Sequence, residues 1–356
     1  MSTRKPQRRW IAAVVLLALV VAACSSGGTA DPGTTTTGPT SSTTTGPTSS
    51  TTAVPDTTST TGSSETEPDR AIGFENVVVS ADWLEDNLDN PDVKIIEVST
   101  EPGVYERGHI PGAVNFVWHT DFVDTLSRDI VSQERFQELV RAAGVNEDST
   151  IVLYGDRNNW FSAWGAWVFD IYGDHDVRLL DGGRVIWEAE SRPLEATVPS
   201  PAAGTFVALP ADLNLRAFLP QVLEIATGAE DKPLVDIRSA DEYNGVIFAP
   251  EGFQELAVRA GHIPTAVNVP WGTAVAEDGR FKSVEELQTI YAGVGVDGSK
   301  PVVVYCRIGE RASHTWFVLS KILGYHVALY DGSWTEYGNS VGVPVENPSG
   351  TIWGAT

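Results

Sequence analysis

Sulfur is scarce in this chain: two cysteines and one methionine among 356 residues. There is no Cys-x-x-Cys pair, no His/Cys ligand spacing and no phosphate loop of the Walker type, so neither a metal, a nucleotide nor any other cofactor is expected. Basic side chains are also few, 24 against 47 acidic ones, for a net charge of −23. That balance argues against nucleic acid as a partner. The apolar run from Trp10 to Ala23 is too short for a membrane span of ordinary length. Between residues 25 and 70 aromatic side chains are missing altogether, and 37 of the 46 residues are Ser, Thr, Gly or Pro. Such a stretch cannot offset the entropy of folding and reads as a disordered tether, with an r.m.s. span of roughly 35–40 Å. Its Ser/Thr density with Pro also suits O-glycosylation.

Arg4, Lys5, Arg8 and Arg9 precede the apolar run, which ends at Val21-Ala22-Ala23-Cys24. A basic segment followed by a short apolar one is an export signal, and its end resembles the lipobox of bacterial lipoproteins. The resemblance implies a signal peptide over 1–23, an acylated Cys24, and attachment to the outer face of the cell membrane through that lipid, with 24–73 as the tether. A plain secretory signal and an uncleaved anchor are the other readings. Loss of the four basic residues takes the net charge from −23 to −27. With Cys24 acylated, Cys306 has no partner for a disulfide.

The remaining residues repeat internally. Gly108-His109-Ile110-Pro111-Gly112-Ala113-Val114-Asn115 returns as Gly261-His262-Ile263-Pro264-Thr265-Ala266-Val267-Asn268. Ile151-Val152-Leu153-Tyr154 returns as Val302-Val303-Val304-Tyr305, and Val177–Gly183 as Val327–Ser333. Short aliphatic strands alternate with helical stretches such as Gln133–Ala143 and Val284–Ala292. This rhythm predicts an α/β fold: two tandem domains, each a mainly parallel sheet flanked by helices. The expected boundaries are 74–195 and 215–350, joined by a connector over 196–214.

Cys306 follows the apolar run Pro301–Tyr305 and opens the string Cys306-Arg307-Ile308-Gly309-Glu310-Arg311. A helical pattern from Ala312 to Leu323 comes next. Strand, tight loop and helix aim backbone N–H groups and a helix N-terminus at one sulfur, a setting that favours thiolate. A buried structural cysteine is the bland alternative. The loop resembles the active-site loop of the rhodanese family of sulfurtransferases, and tandem rhodanese domains have the arrangement read above. The resemblance implies a catalytic Cys306 carrying a persulfide, with Arg307, Ile308, Gly309, Glu310 and Arg311 as the loop that binds a small anionic sulfur donor. A thiophilic acceptor, cyanide or a thiol, then takes the sulfur. The charged loop favours thiosulfate as donor over 3-mercaptopyruvate, whose enzymes have a smaller, less charged one. Gly155 stands where the first unit would need its cysteine, which implies a silent domain. Arg157, Asn158, Asn159 and Trp160 are expected at the interface as structural residues.

Two departures from the family stand out: Glu242 falls where some relatives have an anion-binding arginine, and Ile308 where some have lysine. Arg259, at the end of an insertion over Gly245–Ala260, is therefore a second candidate for substrate contact. His109 and His262 recur in both units and read as turn residues. His314 lies about 12 Å along its helix from the cysteine, too far to act as its base. Phosphatases of related fold need Cys-x5-Arg, and here Arg311 comes one residue early. A surface binding or redox-sensing role on the same fold is the remaining alternative, which the intact loop disfavours.

Overall fold

The computed structural model describes residues 73–173, 175–254 and 256–354. The expected signal peptide, Cys24 and nearly all of the expected tether lie outside these residues. In the first lobe, β1 (Val78–Val79), β2 (Val93–Glu97), β3 (Val114–Asn115), β4 (Thr150–Tyr154) and β5 (Val177–Leu180) form a parallel sheet ordered β1-β5-β4-β2-β3. In the second, β6 (Leu234–Asp236), β7 (Val267–Asn268), β8 (Val302–Tyr305) and β9 (Val327–Leu329) are parallel and ordered β7-β6-β8-β9. The series β5-β4-β2-β3 thus reappears as β9-β8-β6-β7. The place of β1 is held by a single parallel bridge from Arg216 to Leu329. This is the tandem α/β architecture that the repeats predict.

The central strands form because they are apolar on both faces. All four residues of β8 are buried, as are the last four of β4, the pattern of a parallel strand covered by helices on each side. Helix starts are set by side chains. Ser283 and Glu286 cap the helix Val284–Ala292 reciprocally, and Ser132 caps Gln133–Ala142, satisfying N–H groups that the helix itself leaves open. The helix expected from Ala312 begins earlier, at Glu310, and after Phe317 widens into a π-helical turn over Val318–Ile322.

The helices Trp160–Ile171 and Glu310–Phe317 pack against each other between the sheets. Every residue of the second is buried. Ser313 Oγ donates to the Trp160 carbonyl at 2.9 Å, and Lys321 Nζ bonds both carboxylate oxygens of Asp170 at 2.8 Å. One apolar cluster runs through both lobes, with Trp164, Val168 and Phe169 from the first and Val304, Cys306 and Trp316 from the second.

His314 sits in this layer, stacked on Phe281 at 5.0 Å and edge-on to Trp271, its Nδ1 without a hydrogen-bond partner. Burial pulls its pKa down to about 3 from an ordinary 6.5. The unfolded chain takes up a proton near pH 6.5 that the folded chain refuses until about pH 3. The stability this ring contributes is therefore complete above that window and lost as pH falls through it. At about 1.4 kcal/mol per unit, acidification to near pH 5 costs on the order of 2 kcal/mol. His314→Phe keeps the stack without a titrating ring and is expected to flatten that fall. Urea unfolding at neutral and mildly acid pH measures it; an unchanged difference between the two would refute the assignment.

Candidate active site

Cys306 follows the last residue of β8, and the short helix Ser333–Tyr337 shapes the loop that it opens. Trp334 N–H donates to the Cys306 carbonyl at 3.0 Å and Thr335 N–H to that of Arg307 at 2.9 Å, while Cys306 N–H donates to Ser333 Oγ at 3.1 Å. With those groups tied outward, later amides face the sulfur. Gly309 N–H donates to Sγ at 3.1 Å, and the Ala312 amide favours the ionised sulfur as well. Gly309 has φ +98°, and a Cβ there would come within 2.5 Å of Trp164 in the first lobe. Both the backbone and the neighbouring ring require glycine at this position. Arg128 reaches across from the first lobe and donates to the Ile308 carbonyl at 2.6 Å. It also lies 3.6 Å from Asp331, which Arg216 holds at 3.1 Å.

The sulfur is completely buried, and its thiol is pushed up to about 11. Burial is the largest cause, followed by the Glu310 carboxylate, whose Oε2 lies 3.4 Å from Sγ. Arg311 and the amides of Ala312 and Gly309 pull the other way and are outweighed. This corrects the expectation of a resting thiolate. Counting dipoles and arginines along the sequence leaves out desolvation and the adjacent carboxylate.

Arg311 is also less available than its charge suggests. Its guanidinium makes two 3.0 Å bonds to Glu242, which Ser239 also holds. Burial works against ionisation of Glu242, but these bonds and the Arg311 charge prevail and keep its pKa below the ordinary value. Glu242, one of the two departures from the family pattern, thus forms a buried ion pair with Arg311 of the loop. Arg307 donates to the Gln254 carbonyl at 2.7 Å, lies 3.8 Å from Glu310 and covers the Phe253 ring.

A pocket of about 20 Å³ opens beside the loop, walled by Trp160, Pro250, Phe253, Arg307, Glu310 and Arg311. Trp160 belongs to the first lobe, and Arg157 from the same lobe covers Phe253 from 5.8 Å. Trp160, Pro250 and Phe253 were not picked out from the sequence as pocket residues. The signal available was the insertion over 245–260, in which the charge at Arg259 drew attention instead of the aromatic ring. Arg259 is placed elsewhere. Its guanidinium donates to the carbonyls of Tyr337, Gly338, Ser340 and Val343, closing the C-terminal end of the helix Ser333–Tyr337. It is structural, and the expected substrate contact is corrected.

The corresponding place in the first lobe is closed by backbone. A Cβ on Gly155 would meet the Val98 carbonyl oxygen at 2.3 Å. Arg184 N–H donates to the Gly155 carbonyl at 3.0 Å, as Trp334 does to Cys306, so Trp334 matches Arg184 in position. His109 and His262 stack on Tyr105 and Tyr243 and bond their carbonyls. Both pin turns. Among the described residues no group of three or more His, Cys, Asp or Glu side chains could hold a metal ion.

Fold and site together define a two-lobed α/β protein with one cysteine cradled at the end of a central parallel strand. The chain belongs to the rhodanese family: the Rhodanese-like domain matches residues 80–190 and 221–340. A Saccharopolyspora erythraea protein named "Putative thiosulfate sulfurtransferase" is 50% identical over 276 residues, 77% of this chain and 97% of the relative. The "Sulfur carrier protein TtuD" of Thermus thermophilus is 49% identical over 273 residues, 76% of this chain and 96% of that one. Among solved structures, the 3-mercaptopyruvate sulfotransferase SseA from Escherichia coli superposes with a TM-score of 0.62 at 30% identity, covering 72% of this chain and 98% of its own.

Proposed function

We propose that this protein is a thiosulfate sulfurtransferase that works through a persulfide on Cys306. Sγ attacks the outer sulfur of thiosulfate, sulfite leaves, and the sulfur passes from the persulfide to cyanide or a thiol. Covalent catalysis splits one displacement into two and gives ping-pong kinetics. The observation that carries this reading is the 3.1 Å contact from Gly309 N–H to Sγ. That donor is fixed before reaction, so it steadies charge on sulfur with little reorganisation. Arg307 supplies the cationic side of the pocket. The names of the relatives at about half identity support thiosulfate as donor. We also propose that Cys24 carries a lipid that holds the enzyme at the outer face of the cell membrane, on the strength of Val21-Ala22-Ala23-Cys24.

Mass spectrometry tests the central step. Thiosulfate is expected to add one sulfur atom to the peptide containing Cys306, and cyanide to remove it. Loading by 3-mercaptopyruvate but not by thiosulfate would overturn the donor assignment. Loading by neither would overturn the activity.

A further inference from the structure

A thiol pushed up to about 11 needs help to react at neutral pH, and the loop contains a group placed to give it. We propose that Glu310 is the catalytic base that takes the proton of Cys306 and holds it while the persulfide exists. This inference rests on the sulfurtransferase reading above. Glu310 is the first residue of the helix after the loop, is buried, and places Oε2 3.4 Å from Sγ. It also lines the pocket, so it stands between the buried sulfur and the space open to a substrate.

The surrounding charges leave it free for this task. Arg311 on the same helix is held by Glu242 through two bonds. Arg307 lies 3.8 Å away, on the other carboxylate oxygen. Asp331, from the loop after β9, is engaged by Arg216 and Arg128. The first lobe presents the uncharged rings of Trp160 and Trp164, with Arg157 beyond Phe253. Among the described residues, Glu310 is the carboxylate bonded to Sγ.

The step balances without any further reactant. The carboxylate takes the proton from Sγ, and the sulfur's electron pair forms the new bond to the outer sulfur of thiosulfate. The S–S bond of thiosulfate breaks, and its pair leaves with sulfite. Glu310, now neutral, donates a hydrogen bond to the anionic persulfide. When cyanide bonds the outer sulfur, the persulfide S–S bond breaks, its pair returns to Sγ, and Sγ recovers the proton from Glu310.

Rapid-quench mass spectrometry of full-length enzyme mixed with thiosulfate, across a pH series, tests the role. At neutral pH, Glu310→Gln is expected to load sulfur at least about 100-fold more slowly than wild type. The gap should close in strong alkali, where the thiol ionises unaided. Glu310→Asp should recover part of the loss. Removing a carboxylate that only discourages ionisation would act in the opposite direction, so loading by Glu310→Gln as fast as wild type, or faster, overturns the proposal. Should that variant fail to fold, Glu310→Asp decides alone. Its shorter arm is expected to slow neutral loading by about 10-fold, and equal loading overturns the role. If wild type itself takes up no sulfur, the sulfurtransferase reading falls as well. If wild type loads and the glutamine variant keeps pace, only the base assignment falls.

Discussion

Cys306→Ser is expected to abolish cyanide-dependent thiocyanate formation. The loss should be on the order of 10⁶-fold, the scale seen when a nucleophile is removed from a covalent mechanism. Serine nearly matches cysteine in shape, and its hydroxyl can accept from Gly309 N–H and donate to Glu310 as the thiol does. The fold should therefore survive, and the loss can be assigned to chemistry. A hydroxyl at this position can neither ionise at neutral pH nor carry a sulfane sulfur. Retained turnover in the purified variant would remove Cys306 from the mechanism and leave the buried thiol as packing.

Lys321→Met should destabilise the protein by about 3–5 kcal/mol. The ammonium bonds both oxygens of Asp170, and both side chains are buried where the lobes meet. Methionine fills most of the volume but removes the charge that offsets the cost of burying the carboxylate. The companion variant Lys321→Met with Asp170→Leu removes both charges and should recover most of the loss, because two apolar groups of similar size do not need each other's charge. Chemical denaturation followed by tryptophan fluorescence measures both. A loss below about 1 kcal/mol for the single variant would place this pair with ordinary surface ion pairs.

Much of the architecture was legible because it is written in local patterns. Val302–Tyr305 is apolar on both faces, the Gly-His-Ile-Pro turns repeat, and Ser283 with Glu286 marks a helix start. The site was legible down to the loop that contains Cys306, because strand, glycine and helix follow one another in the chain. What stayed hidden depends on residues far apart in sequence. Glu242 neutralises Arg311 across 69 residues, and nothing local to either announces the pairing. Arg259 looked like an anion contact because a charge near a turn is visible in sequence, whereas the four carbonyls that hold it are not. The direction of the thiol's shift was missed for a similar reason. Loop dipoles can be counted along the chain, but the depth of burial is set by packing, in a core cluster to which both lobes contribute.

That dependence ties the two halves together, although Cys306 belongs to the second. Trp164 closes over Gly309, Trp160 supplies a wall of the pocket, and Arg128 grips the loop carbonyl. Half the chain is therefore not a portable module. Transplanted alone, the half with Cys306 would bring an unsealed oily face and a loop with one side unsupported. The copy with glycine at this place has become a structural organ of the copy with cysteine, and a swap between relatives is expected to need both halves together.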